Sequence, residues 1–252
     1  MGTVKYKKFL LDTSNWGDTS YKDVAKVLNS VIDEFENIID KKFLNPKVLV
    51  IKNTRTSLTK YDGPIFFSNE LNNLIYLQAI DKLWSQYAYQ FSHEYCHHII
   101  ESDFINKCNR FGWFEETLCE LASINIIRQM SKTWRSKPPY SNWKEYSKDL
   151  WNYADTIIQN VDNKIETPLK TWIGLKIDEL YADRYNRRYN CLIATNLLDI
   201  FNENPKLWNF IGLIKNIPVN DSMTFKQFLS DWKSLVQKEQ LALFEILEVK
   251  FV

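Results

Sequence analysis

From Ser20 to about Lys41 the apolar residues Val24, Val27, Leu28, Val31, Ile32, Phe35, Ile38 and Ile39 recur at helical intervals, which predicts an amphipathic helix. Asp18, Thr19 and Ser20 are its candidate N-caps. Before it, Lys5 to Leu11 reads as a strand closed by a polar turn with Gly17. After it, Pro46 precedes a second strand, Lys47 to Ile51. Two further apolar runs, Ile65 to Phe67 and Leu74 to Leu77, read as strands that follow a polar stretch and a Gly63-Pro64 turn. This order predicts a small sheet with a helix on one face.

The next helix is expected to be capped by Asp81 and to carry Leu83, Trp84, Tyr87, Ala88, Phe91, Tyr95 and Ile99 on one side. A loop from Glu101 to Phe111 leads to a helix over Trp113 to Met130. The stretch Ser131 to Ser141, with Pro138-Pro139, reads as a linker. Beyond it the pattern is helical, near Trp143 to Asn160, Pro168 to Phe201 with an internal break, and Pro205 to Asn216. Thr224 with Gln227 forms a capping box for a helix to about Val236, and another reaches Val249. The fold class expected is α+β, with a subdomain at 1–101 containing the small sheet and a mainly helical one at 102–252.

Composition narrows the function classes. A chain of 252 residues buries enough surface to hold a core without disulfides. A net charge of +1 gives no electrostatic case for nucleic acid or an anionic membrane as main partner. No window approaches the roughly 20 apolar residues of a membrane span. Cys96, Cys108, Cys119 and Cys191 form no C-x-x-C pair, so they read as thiols in a reducing compartment, and the expected location is cytoplasmic.

The chemistry concentrates in one place. All three histidines, His93, His97 and His98, fall within six consecutive residues, in the run His93-Glu94-Tyr95-Cys96-His97-His98. On a helix, His93 and His97 share a face, and this spacing lets both nitrogens reach one zinc ion. Glu94 between them is placed to take a proton from water. The neighbours Phe91, Ser92, Tyr95, Cys96 and Ile99 are uncharged, as a buried metal helix requires. His98, turned about 100° from His97, is expected to support the site or to face solvent. Eighteen residues separate His97 from Glu116, and Glu120 lies one turn beyond on the same helix face.

These residues resemble the gluzincin zinc peptidases, in which His-Glu-x-x-His is followed at about this distance by a ligand glutamate. Phe91-Ser92-His93-Glu94, Trp113-Phe114-Glu115-Glu116 and Leu118-Cys119-Glu120-Leu121-Ala122 are similar to the peptidase-MA-like families, specifically over 91–122 and loosely elsewhere. The resemblance implies a zincin-like core, thermolysin-like or aminopeptidase-like, holding one Zn2+ per chain and acting on a peptide or protein substrate. It implies His93, His97 and Glu116 as metal ligands, with Glu115 the alternative third ligand, Glu94 as general base and later acid, and Glu120 as the carboxylate orienting a ligand imidazole.

Related enzymes stabilise the oxyanion with His or Tyr, and this chain has no histidine outside the motif. Tyr181, Tyr185 and Tyr189, spaced to share a helix face, are therefore the candidates, with an arginine the alternative. Tyr185 followed by Arg187 matches the aminopeptidase pattern best, and Tyr181 comes next. The Gly-x-Met-Glu-Asn motif of aminopeptidases is missing, with Glu70 only a weak substitute, which favours an endopeptidase. The likeness also implies that the strand before the metal helix, Asn73 to Gln78, pairs with the substrate backbone. The rival reading is a zinc-containing domain that binds peptides with little catalysis.

Overall fold

The computed structural model describes residues 2–44, 48–54, 63–68, 73–100, 109–160 and 164–252. Pro46, Lys47, Glu70, Cys108 and most of the expected loop after Glu101 lie outside the described residues. The fold is α+β: among the described residues, nine α-helices accompany one mixed sheet of five strands. No described helix is long and apolar enough to cross a membrane. The chain divides into two compact units, one of Met1–His98 with Ala122–Thr156, the other of Ile99–Leu121 with Ile157–Val252.

The first unit contains the sheet, ordered β1 (Thr3–Lys5), β2 (Phe9–Asp12), β3 (Val48–Lys52), β5 (Asn73–Leu77), β4 (Ile65–Ser68). The single strand expected over Lys5 to Leu11 is a hairpin instead. Tyr6 N–H donates to the Phe9 carbonyl at 2.8 Å, turning the chain so that β1 and β2 pair antiparallel. β2, β3 and β5 run parallel, and β4 returns antiparallel on β5. The strand expected to bind substrate, Asn73 to Gln78, is thus internal: β5 bonds β3 on one side and β4 on the other. Its backbone groups are taken, and among the described residues the edge on that side is β4.

Alternation along the parallel strands puts Phe9 and Leu11, Val48 and Val50, and Ile75 and Leu77 in the core. Helix α1 (Tyr21–Ile38) buries Val24, Val27, Leu28, Val31, Ile32 and Phe35 there. Its first turn is closed by Ser20, whose side chain accepts from Asp23 N–H. Helix α2 (Trp84–Ile100) joins the same core, with Phe91 5.9 Å from Phe9 and Tyr95 5.3 Å from Phe35, ring to ring.

Asp81 is not the cap of α2, which starts at Trp84. Asp81 has a φ of 56°, and its carboxylate accepts from Asp18 N–H at 2.7 Å, tying the entry of α1 to the entry of α2. Gly17, at a φ of +72°, lies against that carboxylate, and a Cβ there would collide with it. Gly17→Ala adds both the collision and an unfavourable backbone conformation. It is expected to lower stability by about 1–3 kcal/mol, measured as a lower urea midpoint with unchanged slope; an unshifted midpoint would show that the clamp gives way freely.

Helix α3 (Gly112–Ser136) contributes to both units and absorbs Ser131–Ser136, the first part of the expected linker. The linker proline pair follows only after its end. Within the first unit, Trp134 Nε1 of α3 donates to Ser30 Oγ of α1 at 3.1 Å, and α4 (Tyr146–Ile158) packs Tyr153 5.4 Å from Tyr89 of α2.

The second unit is helical: α5 (Leu169–Ala182), α6 (Arg187–Glu203), α7 (Trp208–Ile211), α8 (Phe225–Ser234) and α9 (Leu241–Glu248). Its centre is aromatic. Phe111 stacks on Phe228 at 4.7 Å, and Phe114 meets Phe225, Trp232 and Phe251 edge to face. Thr224 caps α8 by accepting from Gln227 N–H, as the capping box predicts. The break expected between Pro168 and Phe201 falls at Asp183–Asn186. There Asp183 accepts from Tyr185 N–H, and Asn186 caps α6 by accepting from Tyr189 N–H.

Candidate metal and catalytic site

His93, Glu94 and His97 stand on consecutive turns of α2, which is helical from Trp84 to Ile100. The His93 and His97 rings lie 5.1 Å apart, centroid to centroid, so the i, i+4 spacing brings both to one face. His97 and Glu94 are buried, at 8% and 4% exposure, and His93 is half-buried. This matters for chemistry, because a carboxylate removed from bulk water interacts strongly with any neighbouring charge.

His98 does not face solvent. At 1% exposure it points into the first unit, where Asn73 Nδ2 lies 3.2 Å from its Nδ1. Its ring packs 5.6 Å from Phe66 of β4 and 5.5 Å from Tyr95. It therefore fastens the histidine helix to the β4–β5 pair. Burial also pushes the Tyr95 and Tyr87 phenols well above their usual range, so both stay protonated in the core.

Among the described residues, one set of side chains has donor atoms close enough to hold a metal ion. It comprises His93, His97 and Cys119, whose ligand atoms lie within 4.8 Å of one another. Two ligands of a tetrahedral zinc stand roughly 3.3–3.6 Å apart. Two imidazoles and a thiol are donors of the types that zinc takes. Cys119 is carried by α3, the helix that belongs to both units.

Glu116, the ligand implied by the resemblance, is half-buried on α3 and is not in that set. It lies one turn from Cys119, and 3.6-residue periodicity puts Glu116, Cys119 and Glu120 along one stripe. Glu115 is buried. Cys119 is the member of that set not singled out from the sequence. The available signal was its i+3 position from Glu116 on a helix face already singled out. Cys96, Cys119 and Cys191 form no disulfide.

Within the second unit, Glu120 accepts from Cys191 Sγ of α6 at 2.7 Å. Burial first, then the Glu120 charge, pushes the Cys191 thiol well above its usual range, with Arg187 partly opposing. Cys191 thus stays protonated and donates to Glu120.

The tyrosines do not share a helix face, because the turn at Asp183–Asn186 separates them. Tyr181 ends α5, with the Arg110 guanidinium 3.9 Å over its ring and its hydroxyl accepting from Phe225 N–H at 3.1 Å. Tyr185 is in the turn, 47% exposed, with Arg184 stacked on its ring and donating to its hydroxyl. Tyr189 opens α6 and donates to Glu179 at 2.5 Å. Tyr185 therefore presents the most accessible phenol of the three, beside a cation that stabilises negative charge.

If Tyr185 supplies the oxyanion donor, Tyr185→Phe lowers turnover about 10²–10³-fold while leaving zinc content unchanged. Full activity with bound zinc would pass the role to Tyr181, Tyr189 or an arginine.

Comparison with protein-family models, with curated proteins and with solved structures yields no match to this chain.

Proposed function

We propose that this protein is a zinc-dependent peptidase of gluzincin type, an endopeptidase more than an aminopeptidase, hydrolysing peptide bonds with Glu94 as general base. The observation that carries the reading is the His93–His97 pair on one face of α2 with the Glu94 carboxylate buried beside it. His93 and His97 would hold the metal. The third donor would come from the α3 stripe, Glu116 by resemblance or Cys119 by proximity. Bound zinc would lower the pKa of water towards about 7 and polarise a carbonyl.

The remaining work belongs to the chain. Glu94 takes a proton from the attacking water and delivers it to the leaving amine. Glu120 supports the ligand set, its own position fixed by Cys191. Tyr185, or Tyr181, donates to the oxyanion.

The peptide backbone adds to β4, the edge strand, which is held to α2 through the Phe66–His98 contact. The exposed side chains Ile65 and Phe67, two residues apart on the same strand face, offer apolar contacts to alternate substrate residues. The compartment that accords with this reading is the cytoplasm.

A metal-holding domain that binds peptides with little hydrolysis is the second reading. Cys119 among the donors favours it, since a thiolate donates more electron density to the metal than the Glu116 carboxylate would and so weakens its pull on water. Digestion of a peptide library, followed by mass spectrometry for wild type and Glu94→Gln, separates the two readings.

A further inference from the structure

In the second unit, a groove of about 300 Å³ is lined by Lys164, Trp172, Lys176, Arg188, Tyr189 and Leu192, besides Ile165. That volume is at the lower end of small-ligand sites. Trp172 and Lys176 are one turn apart on α5, and Arg188, Tyr189 and Leu192 are on the first turns of α6. The Trp172 and Tyr189 rings meet edge to face at 5.0 Å and form an aromatic wall.

Three cations converge here. Lys176 is paired with Glu179 at 2.7 Å, and Tyr189 also donates to Glu179. Lys164 and Arg188 have no carboxylate partner among the described residues. With Glu179 offsetting one charge, the groove carries two uncompensated positive charges. Like charges brought together around a concave wall raise the local potential and attract an anion.

We propose that this groove is a second binding site, for a small phosphate monoester attached to a planar ring. The charge decides the class: a phosphate monoester carries about −1.5 to −2 at neutral pH, matching the two uncompensated cations, whereas a carboxylate carries one. The Arg188 guanidinium supplies a two-pronged donor for the phosphate oxygens and Lys164 a point charge. The flat ring rests on Trp172 and Tyr189. The proposal does not rest on the peptidase reading: Lys164, Trp172 and Lys176 have no part in it, and of the lining residues only Tyr189 was a candidate there, as an alternative oxyanion donor.

The test is calorimetric titration of the full chain with AMP, inorganic phosphate, adenosine and benzoate. The expected order is AMP tightest, phosphate weaker, benzoate weaker again and adenosine without measurable binding. Arg188→Gln and Lys164→Gln, both exposed side chains, should each weaken AMP about tenfold with unchanged circular dichroism. His97→Ala should bind AMP as wild type does, which separates this groove from any phosphate held by zinc. Absence of AMP binding, equal affinity for adenosine or benzoate, or AMP affinity untouched by both groove substitutions overturns the proposal.

Discussion

Glu94→Gln is expected to reduce peptide hydrolysis by about 10²–10⁴-fold while the protein retains its zinc. This range is the usual contribution of a positioned general base. The exchange keeps the side chain's size and its ability to hydrogen-bond, but removes the site that accepts the proton. Glu94 is 4% exposed, so bulk buffer cannot easily substitute for it. Turnover unchanged in Glu94→Gln, with zinc present, would remove Glu94 as the base.

His97→Ala is expected to abolish zinc binding and, with it, activity. In the proposed site the imidazoles of His93 and His97 would be the two donors contributed by α2, and losing one would leave a single nitrogen on that helix. A site with three protein ligands reduced to two binds zinc weakly at neutral pH. His97 is 8% exposed, so removal of its ring also leaves space in a packed region, and a modest loss of stability is expected. Elemental analysis of His97→Ala, wild type, Glu116→Gln and Cys119→Ser gives both answers. Zinc retained in His97→Ala would exclude the site. Of the two α3 variants, the one that loses zinc identifies the third ligand.

Much of the scaffold was legible because period-2 and period-3.6 patterns are local. The apolar spacing of α1, the alternation in β3 and β5, and the Thr224 cap all follow from side chains a few residues apart. What escaped depends on contacts distant in sequence or on backbone geometry. The β1–β2 hairpin hides in one apolar run because a turn over Lys7 and Lys8 carries no glycine or proline signal. Asp81 looks like an N-cap, yet its carboxylate is committed to Asp18, 63 residues away. The position of β5 inside the sheet cannot be read from strand order along the chain.

The candidate site shows the same division. The His93–Glu94–His97 arrangement is a within-helix spacing and could be read directly. His98 was assigned from its angle alone, and its burial depends on Phe66 and Asn73 from the sheet. Tyr181, Tyr185 and Tyr189 have helical spacing, but Asn186 and Asp183 bond the backbone locally and interrupt the helix. Cys119 was hidden because a thiol in an apolar helix looks like any small buried residue.

In the proposed function the buried Glu94 carboxylate beside the histidine pair serves peptide hydrolysis. Digestion of a peptide library by the zinc-loaded wild type, with Glu94→Gln as the matched control, tests it most directly by mass spectrometry. New peptide termini at internal bonds are expected with the wild type and almost none with Glu94→Gln at equal zinc content. A zinc-loaded wild type that leaves the library intact, or cleavage equal in both proteins, would contradict it.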